Sequence, residues 1–118
     1  MKYFKDSEFD CKCGKCGLGL AEMDEGFIAK LVQVRRKANV PFVLNSAMRC
    51  KEHNKNEGGG ENSSHLRGLA VDVKCVDSKT RMWLVKLFCH YFTRVGVDKT
   101  FIHIDDDREK VQDRLWVY

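Results

Sequence analysis

The sequence has one proline in 118 residues, Pro41, and no internal repeat, low-complexity tract or linker-like stretch. A string of tethered modules is therefore excluded, and the length fits one domain over residues 1–118. No apolar run approaches the roughly 18 residues that a membrane span needs. The opening MKYFKDSEFD carries no apolar signal-peptide core, which predicts a chain that is cytoplasmic when synthesised. A dominant charge is missing too: 21 Lys and Arg stand against 17 Asp and Glu, a net charge of +4. The basic residues are scattered, and only Arg35–Lys37 forms a run, so the pull toward an anionic partner is weak. Aromatic and basic residues do not interleave, which makes nucleic-acid binding the weakest of the functional readings. With 43% hydrophobic and 32% charged residues, the chain is also far from the composition of a disordered one.

Cysteine is abundant: six residues, three of them in CKCGKC at 11–16. In a reducing compartment such cysteines bind metal or sit buried more often than they form disulfides. Residues 1–22 read as an irregular, Cys-rich N-terminal segment. Cys11, Cys13 and Cys16 lie within six residues, with Cys50 as a fourth. A structural zinc, a disulfide from this loop to Cys50, and reduced thiols all remain open, because the spacing is not that of two paired C-x-x-C motifs. Cys75 and Cys89 read as core residues.

Apolar spacing predicts a helix after Asp24, its N-cap, with Phe27, Leu31, Val34 and Ala38 as the buried stripe. Pro41 leads into a short strand, FVLNS, and RCKEHNKN reads as a short helix ended by the glycines at 58–60. LAVDVKC is a strand. A longer helix capped by Asp77 or Ser78 is predicted to run through TRMWLVKLFCHYFTRV to Gly96. TFIHID and RLWVY are two further strands. The intervals are too irregular for a doubly wound sheet, so the expected fold is α+β with a small, mainly antiparallel sheet packed with helices.

The stretch SSHLRGLAVDVK places His65 and Asp72 seven residues apart. An odd spacing along one strand sends two side chains to opposite faces, so they converge only if the backbone bends, and Gly68 permits a bend. In TFIHID, Phe101, His103 and Asp105 share one face, while Ile102 and Ile104 point into the core. Two histidines and a carboxylate suit zinc, with the fourth position open to water. Spacing alone leaves a second reading open, in which the histidines are simply hydrogen-bonded and Asp72 caps a turn.

SSHLRGLAVD fits the pattern S-x-H-x-x-G-x-A-x-D through Ser63, His65, Gly68, Ala70 and Asp72. With FIHID it resembles the zinc D-alanyl-D-alanine carboxypeptidases, peptidase family M15, which include phage murein endopeptidases and share their fold with the Hedgehog signalling domain. SEFDCKCG, SAMRCKEHN and the late tryptophan resemble the short, cell-wall-lytic branch. The resemblance implies a zinc held by His65, Asp72 and His103. It also implies that Arg49 engages the substrate's carboxylate or carbonyl oxygen, a task its planar guanidinium suits, and that Ser63 lines the substrate cleft. His53 fits the branch pattern with a structural hydrogen bond as its expected role, and His90 carries no chemistry.

One position departs from the family. Several branches carry an acidic general base three residues before the last histidine ligand, and here that position is Thr100. Asp98, in the GVDKT turn, is the expected substitute. Asp105 is expected to hold a ligand or anchor the next turn. The resemblance thus implies a monomeric zinc peptidase whose partner is the peptidoglycan stem peptide, reaching the wall after phage lysis or as part of a virion. The alternative from another class is a zinc-containing module of the same fold that binds wall peptide or a protein without turnover.

Overall fold

Helix α1 (Glu25–Ala38) forms where the apolar spacing places it. The Asp24 carboxylate accepts the Phe27 N–H at 2.9 Å, which satisfies one of the unpaired donors of the first turn. Phe27, Leu31, Val34 and Ala38 are all buried, and Asn39 ends the helix in the left-handed region. The computed structural model describes residues 1–118.

Strand β1 (Leu44–Ser46) and helix α2 (Lys51–Asn56) follow. A 3-10 turn over Ser64–Arg67 then leads into β2 (Ala70–Lys74). Helix α3 (Ser78–Tyr91) is capped by Asp77, whose carboxylate accepts the Thr80 N–H at 2.9 Å. Strands β3 (Arg94–Val97), β4 (Phe101–Asp105) and β5 (Arg114–Val117) complete the chain. The five strands form one sheet in the order β1-β2-β4-β3-β5, with only the β3–β5 pair parallel. The fold is α+β with a mainly antiparallel sheet, as expected.

Val71, Val73, Val95, Ile102 and Ile104 point to one face of the sheet and join a core of 21 buried residues shared with α1 and α3. The opposite face carries a single row that crosses all five strands: Ser46, Asp72, His103, Gly96 and Trp116 are successive register partners. Cross-strand partners stand side by side on the same face, so residues seventy apart in sequence meet in one line.

Three sequence expectations differ from the structure. The long helix does not reach Gly96, because Phe92 turns extended and buries against Phe27 and Phe88. Residues 94–97 then pair as a strand, favoured by the β-branched Val95 and Val97. Cys89 lies on the exposed side of α3 and not in the core, whereas Cys75 is buried. The N-terminal segment is not wholly irregular. It makes 3-10 turns at Asp6–Phe9 and Leu20–Glu22 and sends Phe4 and Phe9 into the core.

Candidate metal centre

His65 and Asp72 are brought together by Gly68. The 3-10 turn that carries His65 ends at Gly68, with φ 69°, a conformation that costs glycine little. A Cβ there would lie 2.3 Å from the Glu22 carbonyl oxygen, so the site rejects a side chain on two counts. Beyond the bend, β2 places Asp72 directly opposite His103 on β4.

Three ligand atoms converge. Asp72 Oδ1 lies 3.0 Å from His103 Nδ1 and 3.3 Å from His65 Nε2. Tetrahedral ligands about 2.0 Å from a zinc stand about 3.3 Å from one another, so the spacing matches. All three residues are buried.

The remaining polar atoms of each residue are tied elsewhere. His65 Nδ1 lies 2.8 Å from the Ala47 carbonyl oxygen, which only accepts, so the ring proton sits on Nδ1 and the Nε2 lone pair is free. His103 Nε2 donates to Asp105 Oδ2 at 2.7 Å, freeing the Nδ1 lone pair. Arg49 Nη2 donates to Asp72 Oδ2 at 3.2 Å, leaving Oδ1 toward the histidines. This is the arrangement that fixes tautomer and ring orientation around a metal, and the donor set of two imidazoles and a carboxylate fits zinc.

Burial and the contacts among these residues shift their protonation in opposing directions. Burial pushes the His65 imidazole below its ordinary pKa, although Asp72 opposes the shift. Burial also presses on His103, but its hydrogen bonds to Asp105 and Asp72 outweigh that and raise its pKa. Asp72 is desolvated, yet the two histidines hold it below the usual carboxylate range. Asp105 is lowered in the same way, against its burial, by His103, the Asp107 N–H and Arg94.

Supporting contacts extend from this centre. Asp105 Oδ1 accepts from Arg94 Nε at 2.9 Å and from the Asp107 N–H at 3.0 Å. The fully buried Asp107 accepts from Ser64 Oγ at 2.6 Å and from Arg67, which fastens the His65 turn to the end of β4.

The family model for Peptidase M15 matches residues 2–105. The chain belongs to the peptidase M15 family. A comparison with the curated proteins found no match. The M15 match contains His65, Asp72 and His103 and ends at Asp105. It therefore excludes β5, although Trp116 and Tyr118 help line a cleft of about 500 Å³ over the three converging residues.

Two clusters could hold a metal in this M15 chain: His65, Asp72 and His103, and separately Cys11, Cys13, Cys16 and Cys50. All six cysteines are free, and no disulfide joins the N-terminal loop to Cys50. Arg49 lines the cleft with its side chain 12% exposed, bound to Ser46 Oγ and Asn54 Oδ1 as well as to Asp72. Ser63 also lines the cleft, and its hydroxyl accepts the His65 N–H at 3.3 Å. His53 faces Glu57 at 3.4 Å.

Asp98 is not brought to the cleft. It lies in the β3–β4 turn, where its carboxylate accepts from the Thr100 N–H and hydroxyl, both at 3.1 Å. The carboxylate that lines the cleft besides Asp72 is Glu57, at the end of α2. Sequence reasoning missed Glu57, the place of the late tryptophan, Trp116, in the cleft, and the Ala47 carbonyl. The first was hidden in a helix-end charge pattern, the second needed the parallel β3–β5 pairing, and a backbone carbonyl has no signature in sequence.

Proposed function

We propose that this M15 chain is a zinc-dependent peptidase, one domain in extent, that hydrolyses peptide bonds in the stem peptides of bacterial peptidoglycan. It would act as a D-Ala-D-Ala carboxypeptidase or an endolysin-type endopeptidase in phage or prophage wall lysis. The observation that carries the reading is the convergence of three lone pairs from His65, Asp72 and His103 under an open cleft, in a chain of the peptidase family. Zinc, when bound, supplies Lewis acidity and a water of lowered pKa at the floor of the cleft.

The rest of the work falls to this chain's own groups. Arg49 keeps N–H groups beyond those given to Ser46, Asn54 and Asp72, and these would meet the oxygen of a bound peptide, where negative charge develops. Phe101, Trp116 and Tyr118 give the cleft an apolar wall, against which a short peptide would lie extended. Glu57 replaces Asp98 as the group that takes a proton from water and passes it to the leaving amine. Ser63 acts through His65, whose N–H it receives.

Mass spectrometry of defined muropeptides after incubation with zinc-loaded protein tests the reading and identifies the bond. Cleavage by the wild type and none by His65→Ala is expected. Wall-peptide binding without cleavage would favour the non-catalytic module instead, a reading motivated by Thr100 at the family's acidic position and by Asp98 turned onto it.

A further inference from the structure

We propose that Cys11, Cys13, Cys16 and Cys50 form a second metal centre, a structural zinc held by four thiolates and independent of the cleft. Their sulfurs all lie within 4.8 Å of one another, and all four are unpaired thiols. Four sulfurs on a tetrahedral zinc, each about 2.3 Å from it, stand about 3.8 Å apart. Closing the cage therefore needs only a small inward movement of side chains already gathered from two separate parts of the chain.

The backbone is arranged around the sulfurs. Lys15 and Cys16 direct their N–H groups to Cys13 Sγ at 3.4 and 3.3 Å, and Leu18 directs its own to Cys16 Sγ at 3.4 Å. Cys50 N–H points to Cys11 Sγ at 3.3 Å, and His53 N–H to Cys50 Sγ at 3.4 Å. Each of the four sulfurs thus receives at least one backbone donor. A neutral thiol is a weak acceptor, whereas hydrogen bonds to an ionised acceptor are about twice as strong. Donors aimed at all four sulfurs suit four thiolates; one disulfide would neutralise two of them and leave two over.

The turn that delivers these donors depends on Gly14 and Gly17, at φ 72° and 75°, which have open space where a Cβ would sit. They serve the backbone conformation and not a close contact. Cys13 and Cys16 are spaced C-x-x-C, with Gly17 next, while Cys11 and Cys50 complete the set. The donor set is all sulfur, which selects zinc over magnesium or calcium.

The position of the cage gives it a task. Cys50 adjoins Arg49 and caps α2, while Cys11 follows Phe9, whose carbonyl accepts the Met48 N–H at 3.3 Å. A zinc here would clamp the N-terminal segment to the loop that presents Arg49 to Asp72. It acts as a positioning element and touches no substrate.

The test is metal content and thiol protection in the full-length wild type, with no dependence on whether a variant folds. Zinc-loaded protein should hold two zinc ions per chain by elemental analysis. A thiol-alkylating reagent should label the exposed Cys89 and spare Cys11, Cys13, Cys16 and Cys50 until a chelator is added. His65→Ala should keep one zinc and, loaded with cobalt(II), show thiolate-to-cobalt charge-transfer absorption. Cys13→Ser should lose that absorption. Alkylation of the four cysteines as fast as Cys89 in zinc-loaded wild type, or a disulfide among them after purification under reducing conditions, overturns the proposal. A chain with one thiolate-bound zinc and no peptidase activity leaves it standing and refutes the proposed function.

Discussion

Asp105→Asn changes one atom of a side chain that is fully buried, and the structure dictates which way the amide must turn. Asp105 Oδ1 receives two donors, Arg94 Nε and the Asp107 N–H, while Oδ2 receives one, His103 Nε2. An asparagine has one oxygen to offer. Two donors outweigh one, so its oxygen stays with Arg94 and Asp107, and its NH₂ faces His103. The ring must then accept at Nε2, which moves its proton to Nδ1, the nitrogen 3.0 Å from Asp72 Oδ1. The lone pair needed by a metal is lost unless the ring pays the cost of facing donor to donor. Removing such a supporting partner lowers metal affinity by roughly 10- to 100-fold, about 1.4–2.7 kcal/mol. Competition with a zinc chelator, read on the zinc that His65→Ala removes, measures the affinity. Nitrogen-15 NMR of the metal-free variant reads the tautomer. Wild-type affinity in a folded Asp105→Asn protein whose His103 Nδ1 is protonated would refute the reasoning.

Gly68→Ala should destabilise the chain by at least about 2 kcal/mol, from the left-handed backbone and the contact with the Glu22 carbonyl together; thermal melts would register a fall of several degrees. Glu57→Gln should lower muropeptide turnover by roughly 10²- to 10⁴-fold with zinc content unchanged, while Asp98→Asn leaves turnover intact; the reverse pattern in steady-state rates would restore Asp98 as the base. Asp72 and Asp105 have folded pKa values below their unfolded ones. Their contribution to stability is therefore complete above about pH 4 and is lost as the pH falls through the lowered values. Melting curves of chelator-treated protein should show this loss, and it should be shallower in Asp105→Asn.

How much of this was legible in the sequence depends on the range of the interaction. The stripe of α1 and its Asp24 cap are local and read directly from spacing. Strand alternation also placed Asp72 and His103 on the polar faces of β2 and β4, with valines and isoleucines behind them. Gly96 misled, because a glycine after a helical pattern looks like a stop signal. In the structure it is a strand residue over which the Trp116 indole lies, and a Cβ there would be 2.4 Å from Trp116 Nε1. Only the long-range parallel pairing of β3 with β5 gives that glycine its reason. The same holds for the cysteines: their clustering in sequence was plain, but the meeting of Cys50 with the other three, marked by its N–H aimed at Cys11 Sγ, exists only once the loop has folded against the start of α2.

The row from Ser46 to Trp116 also has a kinetic consequence. No two of its members are contributed by the same strand, so the row exists only after all four strand pairings have closed, including the distant β2–β4 and β3–β5 ladders. Closing such loops comes late in assembly, because their entropy must be met before the contacts form. A cation bound to Asp72 and His103 is therefore held by the finished protein and by little that precedes it. Such a ligand deepens the native basin without lowering the barrier that leads into it. Stripping such a metal would leave the rate of folding nearly unchanged and shorten the lifetime of the folded chain, so the ion would act as a latch on persistence and take no part in construction.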